Sequence, residues 1–329
     1  MYTDVYTAKL RPASKTIKGT ARRFLFFLAV FFFLCYYFLE VVYVKIIEII
    51  KGEKPSLSFE VFPPKTSDTF ESVKDATLEI ANLHPSFMSV TYGAGGGTSR
   101  YTTDIAVSLM QKGVTPISHL SCISSTKNEI HKQLEDLKTK GIENILALRG
   151  DIPNGLDLNS LEYHYASELA KEIRDFGGFC IGGACYPESH PESENGNKDI
   201  EALKIKVEQG CEFLTTQMFF DNNILYNFMY RLLRAGVNVP VVAGIMPVTN
   251  AAQIKRICSI SGNALPQRFV RLVDRYGENP EAMKQAGIAY ATEQIVDLFA
   301  NGVNAVHVYS MNKPDVAKAI KDNISEIIK

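Results

Sequence analysis

Three observations predict an α/β chain folded as a (β/α)8 TIM barrel. Eight short β-type runs alternate with amphipathic helical stretches from Leu57 to the end of the 329-residue chain. Strand and helix recur together about every 30 residues, the length of one strand–helix–strand unit, which calls for parallel strands joined by right-handed crossovers. No linker separates the units, so one closed barrel over 44–329 fits better than an open doubly wound sheet.

The strand candidates, in order, are "LSFEV" (57–61), "FMSVT" (87–91), "TPISHLSC" (115–122), "NILALR" (144–149), "FCIGGACY" (179–186), "EFLTTQ" (212–217), "VPVVAGI" (239–245) and "AVHVYS" (305–310). Helical periodicity covers 69–83, 126–141 and 161–177, among others. Gly113, Gly141, Gly177, Gly210 and Gly236 stand where helices should end, as C-capping glycines do. Additional helix is expected over 264–300, inserted in the last unit.

The first 43 residues differ in kind and lie outside the barrel. Phe24 to Leu39 is unbroken apolar sequence, and Glu40 alone interrupts it before Val44, which is just enough to span a bilayer. Six Lys and Arg residues between Lys9 and Arg23 precede it and would hold the N-terminus in the cytoplasm. The segment reads as a membrane anchor or as upstream sequence ahead of a start at Val44, the second being preferred. A formal net charge of -1 argues against a nucleic-acid partner. Six cysteines without a C-x-x-C pair or zinc-like spacing suggest a reducing compartment, no disulfides and no metal. A cytoplasmic protein is expected.

Catalytic groups of such barrels sit at the C-terminal ends of the strands. That rim should collect Glu60, Thr91, His119, Arg149, Asp151, Tyr186, Gln217 and Tyr309, one polar residue from nearly every strand. The glycine cluster in "TYGAGGGTSR" (91–100) belongs to the same rim. It matches neither G-x-G-x-x-G, because Thr98 stands at the third glycine, nor a P-loop, because it has no lysine. Alternation in the first strand points Ser58 and Glu60 inward and Phe59 and Val61 outward. A carboxyl facing a barrel interior has its pKa raised, which suits a general acid; a structural glutamate bonded to backbone is the other reading. Asp151 follows glycine, where aspartate often caps a turn. Arg149 offers a planar fork for phosphate or a ring, or else a surface ion pair. The Gln217 amide can pair with both donor and acceptor edges of a ligand.

The blocks "LSFEVFPPKTSD" (57–68), "FMSVTYGAGG" (87–96), "ALRGD" (147–151), "CYPESHPE" (185–192), "TTQMFFD" (215–221) and "GIMPVTN" (244–250), in this order, resemble the 5,10-methylenetetrahydrofolate reductases. The resemblance runs from about Val44 to the C-terminus and is to the short bacterial form. It implies a flavin-dependent enzyme reducing 5,10-methylenetetrahydrofolate to 5-methyltetrahydrofolate with NADH or NADPH, by ping-pong hydride transfer through FAD. Glu60 would be the proton donor, and Asp151 would tune the flavin and polarise the folate. Thr91, His119, Leu148, Arg149, Gly150, Asp151, Ala184, Tyr186, His190, Asp199 and Lys206 would bind FAD. Glu60, Gln217, Gln253, Tyr309 and Lys313 would bind substrate. A homo-oligomer is expected. Ile257 and Lys313 depart from a phenylalanine and an arginine found in some members, which leaves nucleotide preference and affinity for the folate tail open. Two other readings stand beside this one: a different FAD-dependent barrel such as a proline dehydrogenase, and a catalytically inactive, membrane-attached barrel.

Overall fold

The computed structural model describes residues 44–64, 66–92, 99–152, 155, 161–261 and 265–329. The N-terminal extension over 1–43 and the glycine loop over 93–98 lie outside the described residues. From Val44 to Lys329 the chain is one compact unit. Its strands are β1 (Ser56–Val61), β2 (Met88–Val90), β3 (Pro116–Ser121), β4 (Asn144–Leu148), β5 (Cys180–Cys185), β6 (Phe213–Thr216), β7 (Val241–Ile245) and β8 (Ala305–Tyr309). They pair in chain order, all parallel, and β8 closes on β1 with Ser58 opposite His307 and Glu60 opposite Tyr309. This is the (β/α)8 barrel that the alternation of elements predicts.

The helices are α1 (Ile46–Ile50), α2 (Phe70–Ala81), α3 (Ser99–Gln111), α4 (Lys127–Thr139), α5 (Ala166–Phe176), α6 (Gly196–Glu208), α7 (Asn222–Arg234), α8 (Ala251–Ser261), α9 (Gln267–Tyr276), α10 (Pro280–Ala300) and α11 (Pro314–Asn323). Helix α4 opens on a capping box between Thr126 and Glu129. Helix α5 begins five residues later than its periodicity suggests, because the Glu168 carboxylate turns back to accept from the N–H groups of His164 and Tyr165. Helices α9 and α10 are the extra helix of the last unit. Among the described residues no helix is long and apolar enough to cross a membrane, no cluster of metal-ligating side chains occurs, and five cysteines are free thiols.

The outward residues of the strands, such as Phe59, Val61 and Val308, pack under the helices in the main core. The interior is layered. Its floor is apolar: Phe87, Ile117, Leu146, Cys180, Phe213, Val242 and Ala305 pack against Ile46, Ile47 and Ile50 of α1, which plugs the N-terminal end. Each buried isoleucine contributes about 1.5–3 kcal/mol there. Asn144, 2% exposed, holds the plug: Oδ1 accepts from Ile46 N at 2.8 Å, and Nδ2 donates to Val44 O and Pro116 O, each at 3.4 Å. Above the floor the layer turns small and polar, with Ser58, Ser89, His119, Thr215 and His307. That change in chemistry marks where the core ends and the site begins.

Candidate active site

Hydrogen accounting fixes the polar layer. Ser58 Oγ donates to Val306 O at 3.0 Å, so the short 2.7 Å contact to His307 has Nδ1 donating into the same oxygen. The other ring nitrogen, Nε2, is then bare and accepts from Ser89 Oγ at 2.9 Å. Ser89 has spent its proton, yet its oxygen also meets the Glu60 carboxyl. Its single proton cannot serve both His307 Nε2 and an ionised Glu60. Ionised Glu60 would draw the Ser89 proton and strip His307 Nε2 of its donor.

Burial acts in the same direction. Glu60 is 9% exposed, and desolvation raises its carboxyl from 4.5 to about 8 against a smaller opposing effect of Ser89. His119 Nε2 lies 3.7 Å from Glu60 Oε2, too far for a hydrogen bond. Burial drives His119 from 6.5 to about 3, and burial with the neighbouring His119 does the same to His307. Near neutral pH the two rings and the acid are therefore uncharged, and the Glu60–His119 contact is not an ion pair. His119 Nε2 is buried without a hydrogen-bond partner, and the residue lines the mouth.

Above Glu60 opens a cavity of about 330 Å³ at the C-terminal end of the strands. Gln217 and Tyr309 line it together with Met218, Met246 and Met311. Gln217 follows β6 with its N–H on Cys185 O at 2.7 Å; its Oε1 accepts from Met218 N at 2.9 Å, and its amide NH2 reaches the Tyr186 hydroxyl. The Tyr309 hydroxyl donates to Thr216 O. Gly244 makes that reach possible, since a Cβ there would stand 2.3 Å from both the hydroxyl and the Thr216 carbonyl.

A second cavity of about 320 Å³ shares Leu148, Ala184 and Tyr186 with the first and runs on past Arg149, Gly150, Asp151, His190 and Lys206. The His190 ring meets Tyr186 edge-on at 4.6 Å. Lys206 Nζ donates to Ala184 O at 2.6 Å, and burial lowers its pKa. Asp199, buried in the first turn of α6, is raised by burial and accepts from His190 N. The Arg149 fork meets Glu192 through two bonds of 2.6 and 2.7 Å.

Glu60, His119, Leu148, Ala184, Tyr186, Gln217 and Tyr309 thus converge on the mouth, and Leu148, Arg149, Gly150, Asp151, Ala184, Tyr186, His190 and Lys206 on the adjoining groove. Thr91, Asp199, Gln253 and Lys313 line neither. Gln253 is exposed on α8, and Lys313 Nζ bonds Thr249 Oγ1 at 2.8 Å. Ile257 packs beside the cluster containing Met218 and Phe269. Sequence reading missed His307, Ser89, Glu192 and the three methionines. For His307 a signal existed: a lone histidine two before Tyr309, on the same inward face.

Fold and mouth together define a (β/α)8 barrel with a buried carboxyl, Glu60, at the C-terminal mouth of its strands. A model of the methylenetetrahydrofolate reductase family matches residues 45–325. The 5,10-methylenetetrahydrofolate reductases of Escherichia coli K12 and Pectobacterium carotovorum are 33% and 32% identical, covering 80% of this chain and 89% and 88% of theirs. Methylenetetrahydrofolate reductase (NADH) 1 of Arabidopsis thaliana is 33% identical over 86% of this chain, which spans 50% of the plant protein. The fold is also similar to that of a Clostridium thermocellum protein that binds two copies of 5-methyl-5,6,7,8-tetrahydrofolic acid, with a TM-score of 0.59, 14% identity, and coverage of 86% of this chain and 100% of that one. The chain belongs to the methylenetetrahydrofolate reductase family.

Proposed function

We propose that residues 44–329 are a catalytic domain that reduces 5,10-methylenetetrahydrofolate to 5-methyltetrahydrofolate, with FAD as carrier and NADH or NADPH as donor. One observation carries the reading: a buried carboxyl, raised by desolvation, faces the same cavity as the Gln217 amide. The substrate must open its five-membered ring to an iminium before it can accept hydride. Opening needs a proton on the departing nitrogen, and a neutral acid at the cavity wall can deliver it.

The residues present fit the cofactor. His119 has a buried nitrogen in want of a partner, two joined cavities suit an elongated molecule, and His190 and Lys206 stand along the groove beside Arg149, which Glu192 holds. Bound flavin would supply a two-electron carrier between the nicotinamide and the folate. Glu60 holds the proton at its carboxyl, and the Gln217 NH2 orients whichever ring enters. Asp151, exposed at the groove rim, sets a negative charge beside the carrier. Met218, Met246 and Met311 form a yielding wall, suited to admitting two different ring systems in turn. Tyr309 stiffens the mouth through Thr216.

Rapid-mixing kinetics of each half-reaction test this. Glu60→Gln should keep flavin reduction by reduced nicotinamide and lower folate reduction about 100-fold or more. Equal loss of both halves would remove Glu60 from the donor role, and a purified protein that binds no flavin would remove the reading itself.

A further inference from the structure

The turn after β8 is strained beside Glu60. Only four non-glycine residues among those described have positive φ, and two of them, Met311 and Asn312, are adjacent, each at 55°. Left-handed backbone is costly for a residue with a Cβ, and asparagine tolerates it better than methionine. Such strain persists where surroundings over-determine it, and here they do. Asn312 Oδ1 accepts from Phe62 N at 2.8 Å, and its Nδ2 donates to Phe62 O at 3.0 Å. Only one orientation of the amide satisfies both bonds. The side chain thereby adds a rung to the β1–β8 seam, beyond the last backbone pair, Glu60 with Tyr309. Ser310 Oγ bonds Glu60 O at 2.8 Å, and Lys313 N closes the turn on Ser310 O at 3.0 Å. Phe62 and Met311, the residues so pinned, both line the mouth above the acid.

We propose that Asn312 is a positioning residue for Glu60: by holding both backbone polar groups of Phe62 it clamps the end of β1 and keeps water off the carboxyl. This rests on reading Glu60 as the proton donor. The titratable groups that share the mouth with Glu60 are His119 on β3, Tyr186 just past β5, and His307 and Tyr309 on β8; β2 contributes Ser89, and Gln217 follows β6. Burial lowers both histidines to about 3 and raises Tyr186 and Tyr309 above the ordinary tyrosine value of 10, so between about pH 5 and 10 the acid alone among them changes charge.

The test follows the infrared carbonyl band of the protonated Glu60, identified by its disappearance in Glu60→Gln, across that pH range. Asn312→Gly removes the amide and relieves the strain, whereas Asn312→Ala removes the amide and keeps the strain. Both variants should lower the Glu60 midpoint by about one pH unit or more and slow folate reduction about tenfold, with flavin reduction held within about twofold. Asn312→Ala should melt lower than Asn312→Gly. A wild-type midpoint near 4.5 would sink the donor reading itself. A wild-type midpoint near 8 that neither variant moves, or that only Asn312→Ala moves, would overturn the role of the amide and leave the donor reading standing.

Discussion

Glu60→Gln should stabilise the barrel by an amount that grows with pH. Folding takes the Glu60 carboxyl from 4.5 to about 8 through burial. Below 4.5 folded and unfolded chains both hold the proton, and the shift has no effect on their balance. Between 4.5 and 8 the unfolded chain releases its proton while the folded chain keeps it, so each step up in pH favours unfolding. Above 8 both are ionised and the penalty levels off. A difference of about 3.5 at 1.36 kcal/mol for each pH unit sets a ceiling of about 5 kcal/mol. Relaxation around the ionised carboxyl brings the measured value below that ceiling. Glutamine keeps the shape of the side chain and carries no charge at any pH, so the penalty is absent in the variant. Urea unfolding of both proteins at pH 5, 7 and 9 reads the effect. The stability difference should be small at pH 5 and reach several kcal/mol at pH 9. Parallel profiles would mean that Glu60 is ionised in the folded barrel, and the reasoning from burial would fail.

Histidine burial works on the acid side. His119 and His307 fall from 6.5 to about 3, so the unfolded chain takes up their protons first and stability drops as pH falls below 6.5. His307→Asn should flatten that drop, read by circular dichroism because the chain has no tryptophan. Asp151→Asn should slow folate reduction about tenfold more than flavin reduction; equal slowing in single-turnover kinetics would make the residue structural. Asn144→Ala should cost about 2–4 kcal/mol by unpairing the α1 plug, lowering the thermal midpoint with flavin content per folded molecule unchanged. Glu192→Gln frees the Arg149 fork and removes a negative charge from the groove, so flavin should bind several-fold tighter at low salt and less so at high salt. Unchanged affinity in a titration would place that ion pair away from the cofactor.

Much of this architecture was legible because its signals are local. Period-two strands, helices closed by glycine and an even repeat specify parallel units, and Gly113, Gly141 and Gly177 do adopt φ of 75°, 76° and 81°. Helix α1 was not legible: Ile-Ile-Glu-Ile-Ile continues an apolar run, and nothing nearby shows that it folds back under the barrel. Glu60, Gln217 and Tyr309 stood out as polar residues ending apolar strands. Ser58, Ser89 and His307 sit within strands, where a serine or histidine reads as an ordinary core residue until its neighbours across the sheet are known. The Arg149 partner lies 43 residues away, and the Asn312 partner 250. A left-handed methionine leaves no mark on sequence at all.

The layering of the interior constrains how the proposed acid recovers its proton. In a barrel of this fold the interior is ordinarily filled with bulky aliphatic side chains. Here that filling is confined to the floor, where Phe87, Ile117, Phe213 and Val242 meet the isoleucines of α1. Water therefore cannot approach Glu60 from below, and His119 and His307 resist taking up a proton to pass on. The cavity that Glu60 lines opens at the mouth. On the proposed mechanism Glu60 gives up a proton while the folate fills that mouth, so it is recharged only after product has left. A cavity that must empty between ligands is also one that two ligands can use in succession. The same closure that lifts the Glu60 carboxyl to about 8 would thus favour ping-pong order over a ternary complex.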